Sequence, residues 1–385
     1  MFDINQWPMS TWGSSLTRWA GNQGGIPGAT PVWEIGLGEG PSGLFTGLSM
    51  TSDVVYANAL AEGCFAYNAE TGKQLWLSHP FIPQGAHELS INGDWLAAGF
   101  LILDRNTGEV KEDFRTLLEK EGIAHSRPLN KYVRNLPYQA GFIRFAGTLD
   151  NYNACYFDAE GEVDCFAPGV WPSVIEHGTS FIFGHIGKDR VGCYDLKKRN
   201  MVWARTLPKL QQHEWAMEAV ALYQEKLYIP VMYASLQCLD ARTGDLCWEY
   251  SEPEKFLIQG DAYYGGRPTR FGLCGDRIYL GRSRASTGWL QAHDIHTGEP
   301  LWKIEVEEGM EFCICGDLIF GVEDSWPVAW DRYDGRKVWQ ADEALVSAYF
   351  VMSGGNRVVY SSTLGEIRCF QWEENYISPA RPSQV

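Results

Sequence analysis

A short motif recurs along the chain and constrains its fold more than any other feature. Each copy has an Asn or Asp at the end of an apolar strand, then a Thr-Gly pair, then a Trp four residues after the Gly. Complete copies run over 66–76, 238–248 and 292–302, weaker ones end at Trp203 and Trp339, and degenerate ones carry Asp104 with Thr107-Gly108 and Asp158 with Gly161. The Asn or Asp caps a turn, the Gly supplies a positive φ, and the Trp closes the returning strand. Each copy therefore predicts a β-hairpin.

A second hairpin precedes several copies. Its turns are Asn92-Gly93-Asp94, Gly275-Asp276, Gly316-Asp317 and Gly354-Gly355-Asn356, each followed by an apolar strand. One unit is thus four antiparallel strands in a row, A to D. The units recur about every 40 residues plus insertions, which is typical of propeller blades. We therefore predict an all-β fold, a β-propeller of four-stranded antiparallel blades.

The two ends of the chain decide the number of blades. The last unit, around 358–370, lacks a convincing D strand, whereas 31–35 reads as a D strand with no strands A to C before it. Pairing the two ends would close the ring and hide both sheet edges. We predict eight blades, with seven as the alternative, in a single domain over 31–375. An extension over 1–30 precedes this domain, and a tail over 376–385 follows it.

The spacing Ala-x-Asp-x-x-Thr-Gly-x-x-x-Trp resembles the tryptophan-docking motif of propellers similar to the pyrroloquinoline quinone (PQQ) dehydrogenases. The resemblance covers 31–375 and implies that each Trp ring stacks against the neighbouring blade. The residues that match are Trp33, Trp76, Trp203, Trp248, Trp302 and Trp339. The family includes enzymes, outer-membrane assembly lipoproteins and binding scaffolds, so the resemblance indicates the fold rather than a function.

The resemblance to the dehydrogenases does not extend to the adjacent cysteine pair of those enzymes. Quinone dehydrogenases of this type carry an adjacent Cys-Cys pair, calcium-binding Glu, Asn and Asp side chains, and a catalytic Asp. No two of the ten cysteines are adjacent here, and the repeat acids Asp195, Asp240, Asp294 and Asp331 are predicted turn caps. We predict no catalytic residue, no cofactor and no metal. A quinone-dependent or sugar-handling enzyme, or a degenerate descendant of one, is the alternative.

The N-terminus and the cysteines predict a cytoplasmic protein. The first seven residues include an acid and no apolar h-region, and the chain has no apolar run long enough to span a membrane. Cys64, Cys193 and Cys238 recur at one strand position, where a buried free thiol packs as a small apolar group. We expect all ten cysteines to be free thiols in a reducing compartment.

Acidic residues concentrate at one rim of the predicted ring. The net charge of −16 argues against binding to a nucleic-acid backbone. In a four-stranded blade, the B–C turns and the D–A crossings lie on the same rim, and the variable loops of this chain fall there. The candidate partner-binding residues on this rim are Glu307, Glu308, Glu323, Asp324, Trp326, Asp342 and Glu343, with Tyr263 and Tyr264 of the 251–267 insertion as the next candidates.

These acids predict a protein partner. An acidic groove would steer a basic protein towards it, whereas the alternative is a set of solvated acids with no role. We predict a non-catalytic, protein-binding scaffold of bacterial type. The more specific hypothesis is an immunity-type protein that neutralises a toxin or an effector.

Overall fold

Eight four-stranded antiparallel sheets make up the protein, and they are arranged as an eight-bladed β-propeller. The computed structural model describes residues 25–36, 45–59, 62–78, 89–120, 135–148, 151–166, 171–176, 179–186, 190–207, 220–231, 235–251, 255–258, 261–264, 267–284, 287–306 and 311–373. The prediction of eight blades rather than seven is confirmed.

The first four blades follow the N-terminal strand β1 (Trp33–Gly36) in chain order. Blade 1 comprises β2 (Phe45–Met50), β3 (Val54–Ala59), β4 (Gly63–Asn68) and β5 (Gln74–Ser78). Blade 2 comprises β6 (Leu89–Asn92), β7 (Trp95–Ala98), β8 (Leu101–Asp104) and β9 (Val110–Asp113), and the helix α1 (Phe114–Lys120) follows it. Blade 3 comprises β10 (Asn135–Tyr138), β11 (Gly141–Thr148), β12 (Asn151–Phe157) and β13 (Val163–Phe166). Blade 4 comprises β14 (Trp171–Ile175), β15 (Phe181–Ile186), β16 (Arg190–Asp195) and β17 (Asn200–Thr206).

The remaining blades complete the ring. Blade 5 comprises β18 (Ala221–Tyr223), β19 (Lys226–Pro230), β20 (Ser235–Asp240) and β21 (Leu246–Ser251). A separate two-stranded sheet follows, made of β22 (Lys255–Ile258) and β23 (Asp261–Tyr264). Blade 6 comprises β24 (Arg267–Cys274), β25 (Arg277–Arg284), β26 (Thr287–Asp294) and β27 (Pro300–Val306). Blade 7 comprises β28 (Phe312–Cys315), β29 (Leu318–Glu323), β30 (Trp326–Asp331) and β31 (Lys337–Gln340). Blade 8 comprises β32 (Ala348–Gly354), β33 (Arg357–Ser362), β34 (Glu366–Gln371) and, from the other end of the chain, β1.

Strand β1 closes the ring as the D strand of blade 8. It pairs antiparallel with β34, from Trp33 opposite Cys369 to Gly36 opposite Glu366. The Val32 amide continues this pairing by donating to the Cys369 carbonyl at 2.8 Å. The predicted closure by an N-terminal strand is therefore confirmed, and neither β1 nor β34 leaves an open edge between them.

The repeated C–D turn is fixed by its acid and its glycine. In blade 5, one Asp240 carboxylate oxygen accepts the amides of Arg242 at 2.9 Å and Thr243 at 3.2 Å. The Lys226 ammonium, together with these amides, holds the pKa of Asp240 below its usual value. Gly244 has a φ of 76°, a backbone conformation that residues other than Gly rarely adopt. The Asp and Gly of the motif are thus required by the turn itself.

Five of the six candidate docking tryptophans lie at joints between blades. Each indole Nε1 donates to the carbonyl three residues before the turn glycine of the next blade. These bonds are Trp33 to Ala69 (2.9 Å), Trp76 to Arg105 (3.0 Å), Trp203 to Ala241 (2.9 Å), Trp248 to Ile295 (3.2 Å) and Trp302 to Arg332 (3.1 Å). Each ring also covers that glycine: a Cβ on Gly298 would lie 2.4 Å from the Trp248 ring. How much these contacts stabilise the ring remains a prediction.

Trp339 is the exception, because its neighbour has no C–D turn. Blade 8 takes its D strand from the N-terminus, so no turn glycine faces Trp339. Its ring packs edge-on against Phe370 and Phe320 instead, at centroid distances of 5.2 Å and 6.3 Å. Within the part of the chain that the structure describes, its Nε1 has no hydrogen-bond acceptor.

Two joints use other side chains in place of a Trp. Between blades 2 and 3, the helix α1 fills the gap, with the Phe114 ring 4.5 Å from that of Phe157. Between blades 3 and 4, the Phe166 ring stacks on that of Tyr194, with ring centroids 6.0 Å apart. The Arg199 guanidinium lies over the Phe166 ring and forms an ion pair with Asp164. The degenerate repeats therefore keep the blade contact without the motif.

One pair of cysteines corrects the expectation of ten free thiols. Cys155 and Cys165 lie directly opposite one another on β12 and β13 and form a disulfide, with Cα atoms 4.1 Å apart. The expectation is wrong for these two residues. The other eight cysteines are free, and Cys64, Cys193 and Cys238 are buried as predicted.

His293 is a fully buried titratable group in blade 6, and it makes stability depend on pH. Its Nδ1–H donates to the Gly298 carbonyl at 2.8 Å. Burial lowers the pKa of His293 from 6.5 to about 4, further lowered by Arg282 and opposed by the Gly298 bond. The unfolded chain therefore binds the proton first. We therefore expect the free energy of unfolding to fall by about 3 kcal/mol as the pH is lowered from about 6.5 to about 4, because protonation of His293 favours the unfolded chain.

Urea unfolding between pH 7 and pH 4 measures this effect against a matched variant. In His293→Asn, the side-chain amide can still donate to Gly298 but does not titrate. The wild-type protein should lose about 3 kcal/mol more than the variant over this range. Parallel pH profiles for the two proteins would show that His293 is not the titrating group.

Candidate functional site

Three connections of blades 7 and 8 form one continuous surface, which we call the blade 7–8 rim: residues 323–326, 341–348 and 362–366. The first connection is the β29–β30 hairpin, in which Glu323 pairs with Trp326. Its two turn residues, Asp324 and Ser325, have φ values of 50° and 68°. Two consecutive left-handed residues form the tight hairpin turn whose twist matches the flanking strands, and Asp tolerates this conformation well.

Backbone hydrogen bonds join the three connections. The Leu345 amide donates to the Ser325 carbonyl at 2.7 Å, and the Thr363 amide donates to the Ser347 carbonyl at 3.0 Å. The Leu345 side chain is fully buried in the core between blades 7 and 8. The rim is thus held in a fixed shape by its backbone and by one apolar anchor.

Two apolar side chains project from this fixed surface. Val346 is 60% exposed and Leu364 is 54% exposed, the two largest values among the exposed large hydrophobic side chains of the described residues. They flank the hydrogen bond between Ser347 and Thr363, which brings the crossing and the β33–β34 loop together. Sequence reasoning missed this pair. The available signal was a large apolar residue in each of two turns, where polar residues are usual.

The predicted acids of this rim are mostly engaged in local contacts. Glu323 is half-buried and forms an ion pair with Lys337. Asp342 accepts a hydrogen bond from the Thr30 hydroxyl at 2.9 Å, and Glu343 lies 4.0 Å from the Arg368 guanidinium. Asp324 is exposed and has no ion-pair partner within the described ranges.

Arg368 connects the rim to the closing strand. Its guanidinium is largely buried, lies 3.6 Å from the Glu34 carboxylate on β1, and donates to the Ala344 carbonyl at 2.9 Å. The Arg368 guanidinium therefore contacts both the rim and the closing strand β1.

The remaining candidates differ in what can be said of them. Trp326 is half-buried and packs on the core shared by blades 6 and 7, so only part of its ring is available to a partner. Tyr263 and Tyr264 lie on β23, and their side chains are outside the described residues, as are Glu307 and Glu308. The structure thus brings together Glu323, Asp324, Trp326, Asp342 and Glu343.

Known proteins share this architecture. A family model described as outer membrane protein assembly factor BamB matches residues 265–341, which enclose blades 6 and 7. Among solved structures, BamB from Moraxella catarrhalis is 16% identical, with a TM-score of 0.59 over 91% of this chain and 99% of that one. A quinohemoprotein alcohol dehydrogenase from Pseudomonas putida HK5 is 10% identical, with a TM-score of 0.64 over 94% of this chain and 78% of that one. The computationally designed Ika8 protein is 11% identical, with a TM-score of 0.65 over 90% of this chain and all of that one.

The chain has a PQQ-like β-propeller fold. The resemblance predicted from its repeat is confirmed by the family model and by these structures. At 10–16% identity, the structures show the fold alone. No curated protein matches the chain.

Among the described residues, this PQQ-like propeller shows neither the cysteine pair nor the metal ligands that the resemblance to the quinone dehydrogenases implies. Its disulfide joins Cys155 to Cys165, not two adjacent cysteines. Among the described residues, no group of three or more His, Cys, Asp or Glu side chains could hold a metal ion. No helix of the described part is long and apolar enough to cross a membrane.

Proposed function

We propose that this PQQ-like propeller is a non-catalytic scaffold that binds another protein through the blade 7–8 rim. The observation that carries the proposal is the exposed pair Val346 and Leu364 on a surface fixed by backbone hydrogen bonds. Exposed apolar side chains on ordered loops at one end of a rigid scaffold are typical of interaction sites. A rigid surface also binds at a lower entropic cost than a flexible one.

The charge of the chain favours a basic partner with an apolar contact surface. Asp324 and Glu343 are both exposed beside the apolar pair, and the net charge is −16. Such a field accelerates encounter with a basic protein. The similarity to a protein described as an outer membrane protein assembly factor supports a scaffold role, because an assembly factor acts on other proteins.

An immunity-type role, in which the chain neutralises a toxin or an effector, is the narrower form of this proposal. To neutralise a toxin that acts in the cytoplasm, the protein would have to be cytoplasmic, which is the location that the sequence predicts. The Cys155–Cys165 disulfide is an observation against it, because disulfides are rare in reducing compartments. Thiol mapping of protein isolated from its source cells would decide between a reducing compartment, where Cys155 and Cys165 are free thiols, and an oxidising one, where they form the disulfide.

Removing the exposed apolar pair should weaken the partner's binding. After the partner has been captured from source cells and identified, we expect Val346→Ser with Leu364→Ser to raise the Kd by at least about tenfold, or about 1.4 kcal/mol. The matched control is Leu75→Ser with Leu301→Ser, two similarly exposed residues on the outer strands of blades 1 and 6. This control should bind like the wild-type protein. Equal losses in both double variants would count against the rim.

The acids are tested in the same assay through the association rate. Asp324→Asn with Glu343→Gln removes two charges, and Asn keeps the left-handed backbone of residue 324. This variant should associate more slowly at low salt, whereas Glu70→Gln with Glu299→Gln, on the C–D turns of the opposite rim, should not. If neither salt nor either double variant changes the association rate, the partner does not bind at these acids, and the β22–β23 hairpin with Tyr263 and Tyr264 becomes the next candidate site.

A further inference from the structure

Blade 5 places thiols at two neighbouring positions of the repeat where other blades place at most one. The residue opposite the docking Trp is Cys238, and its equivalents in blades 1, 4, 6 and 7 are Ala66, Cys193, Ala292 and Ala329. The residue before that Trp lies in a β-bulge of the D strand. It is Cys247 in blade 5, and its equivalents are Leu75, Val202, Leu301 and Val338.

The two thiols of blade 5 are neighbours across two paired strands and have opposite exposure. In the pairing of β20 with β21, Cys238 is opposite Trp248 and Leu239 is opposite Leu246, so Cys247 lies in the bulge directly across from Cys238. All ten cysteines are in described residues, and of the eight free ones Cys247 alone is exposed, whereas Cys238 is buried. Burial, reinforced by Cys247, raises the pKa of Cys238 to about 12. Cys238 is therefore a protonated, inaccessible thiol, and a reagent from solvent meets Cys247 first.

Polar groups surround this pair. The Lys226 ammonium donates to the Asp240 carboxylate at 2.9 Å, and this bond, together with Cys247, raises the pKa of Lys226. Tyr228 lies directly opposite Cys238 on the neighbouring strand β19. The positive charge of this ammonium favours the negative charge that develops on the Cys247 sulfur when that sulfur attacks an electrophile.

We propose that Cys247 and Cys238 form a dithiol redox site that hydroperoxides oxidise to a disulfide, a role separate from partner binding. The Cys247 sulfur attacks the peroxide, the O–O bond breaks, and the products are a Cys247 sulfenic acid and an alcohol or water. The Cys238 sulfur then attacks the sulfenic sulfur, its proton leaves with the hydroxyl group as water, and the S–S bond forms. Two thiols are oxidised and one peroxide is reduced.

The position of the pair in its sheet allows this bond to form. Strand β21 is the outer strand of blade 5, so no further strand of the sheet holds it from outside. In blade 3, the corresponding C and D strands, β12 and β13, are joined by the Cys155–Cys165 disulfide. Trp248, next to Cys247, docks on Ile295 and Gly298 of blade 6, which places the new bond beside a joint between blades.

Peptide mapping tests the proposal directly, because Arg242 separates the two cysteines and trypsin cuts there. Full-length protein is reduced, desalted, treated with an equimolar amount of hydrogen peroxide, alkylated and digested. We expect a linked pair of peptides, 227–242 with 243–255, lighter by two hydrogens than the separate peptides. Cys193 is the matched control, since it occupies the position of Cys238 but has Val202 in the bulge, and it should remain a free thiol.

Two variants identify the role of each sulfur, and both use residues that other blades carry at these positions. Cys247→Val should abolish the link and leave Cys238 reduced. Cys238→Ala should abolish the link and leave a Cys247 sulfenic acid that dimedone traps. Absence of the linked peptides in the wild-type protein, or oxidation of Cys193 as fast as that of Cys247, would overturn the proposal. So would a link from Cys247 to any cysteine other than Cys238.

Discussion

Deletion of residues 1–37 should abolish the cooperative unfolding of the propeller. The deletion removes β1, the D strand of blade 8, and with it four residue pairs to β34 and the continuing bond from Val32. It also removes the Trp33 ring, which is 9% exposed and covers Gly72 of blade 1. The truncated chain would expose the edge of β34 and lose one joint of the ring, so we expect aggregation or a broad, non-cooperative melt.

The matched control for this experiment is deletion of residues 1–24, which leaves β1 and its pairing with β34 in place. Calorimetry and light scattering on both truncations separate the effect of residues 25–37, which include β1, from that of residues 1–24. A soluble 1–37 deletion with the melting curve of the full-length protein would disprove the closure model.

Replacement of a docking tryptophan should have the second largest effect. Trp76 is 9% exposed, donates to the Arg105 carbonyl and covers Gly108. We expect Trp76→Ala to lower the free energy of unfolding by about 3–5 kcal/mol, because it removes a large buried ring and leaves a cavity between blades 1 and 2. Chemical denaturation measures this loss. A loss below about 1 kcal/mol would show that the ring does not hold the joint.

Two glycines test the same contact from the opposite side. Gly108 has a φ of 74°, and a Cβ there would lie 2.6 Å from the Trp76 ring, whereas Gly93 has a φ of 58° with open space around it. Replacement of either by Ala strains the backbone by about 1–2 kcal/mol. Gly108→Ala should cost clearly more than Gly93→Ala, because it also displaces the ring. Equal costs would mean that the ring contact contributes nothing.

The repeat made the fold predictable because its signal is local. An Asp that caps its own turn and a Gly with a positive φ act within a few residues, so each hairpin could be located without knowledge of the rest. The closing strand was also predictable, because 31–35 had no strands A to C of its own. The resulting blade count depends only on the order of such units along the chain.

The contacts of the rim were not predictable, because they join residues from separate connections. Val346 and Leu364 meet through the Ser347–Thr363 hydrogen bond, and Glu323 is neutralised by a lysine two strands away. The disulfide was missed for a related reason. In blade 3, the β12–β13 pairing lacks the bulge of the complete repeats, so Cys155 and Cys165 come into direct register. Only the three-dimensional register of each blade reveals such pairs.

The origin of blade 8 from both ends of the chain has a consequence for synthesis. Strand β1 is translated before every other strand of the ring, and its partner β34 is translated more than 300 residues later. Until then β1 has no strand to pair with, and the Trp33 joint has no finished blade on one side. Blades 1 to 7 can form their own hairpins as they emerge, but the ring is completed only after translation of β34. The nascent chain therefore carries an unpaired strand until β34 has been made, a period in which aggregation and chaperone binding compete with folding.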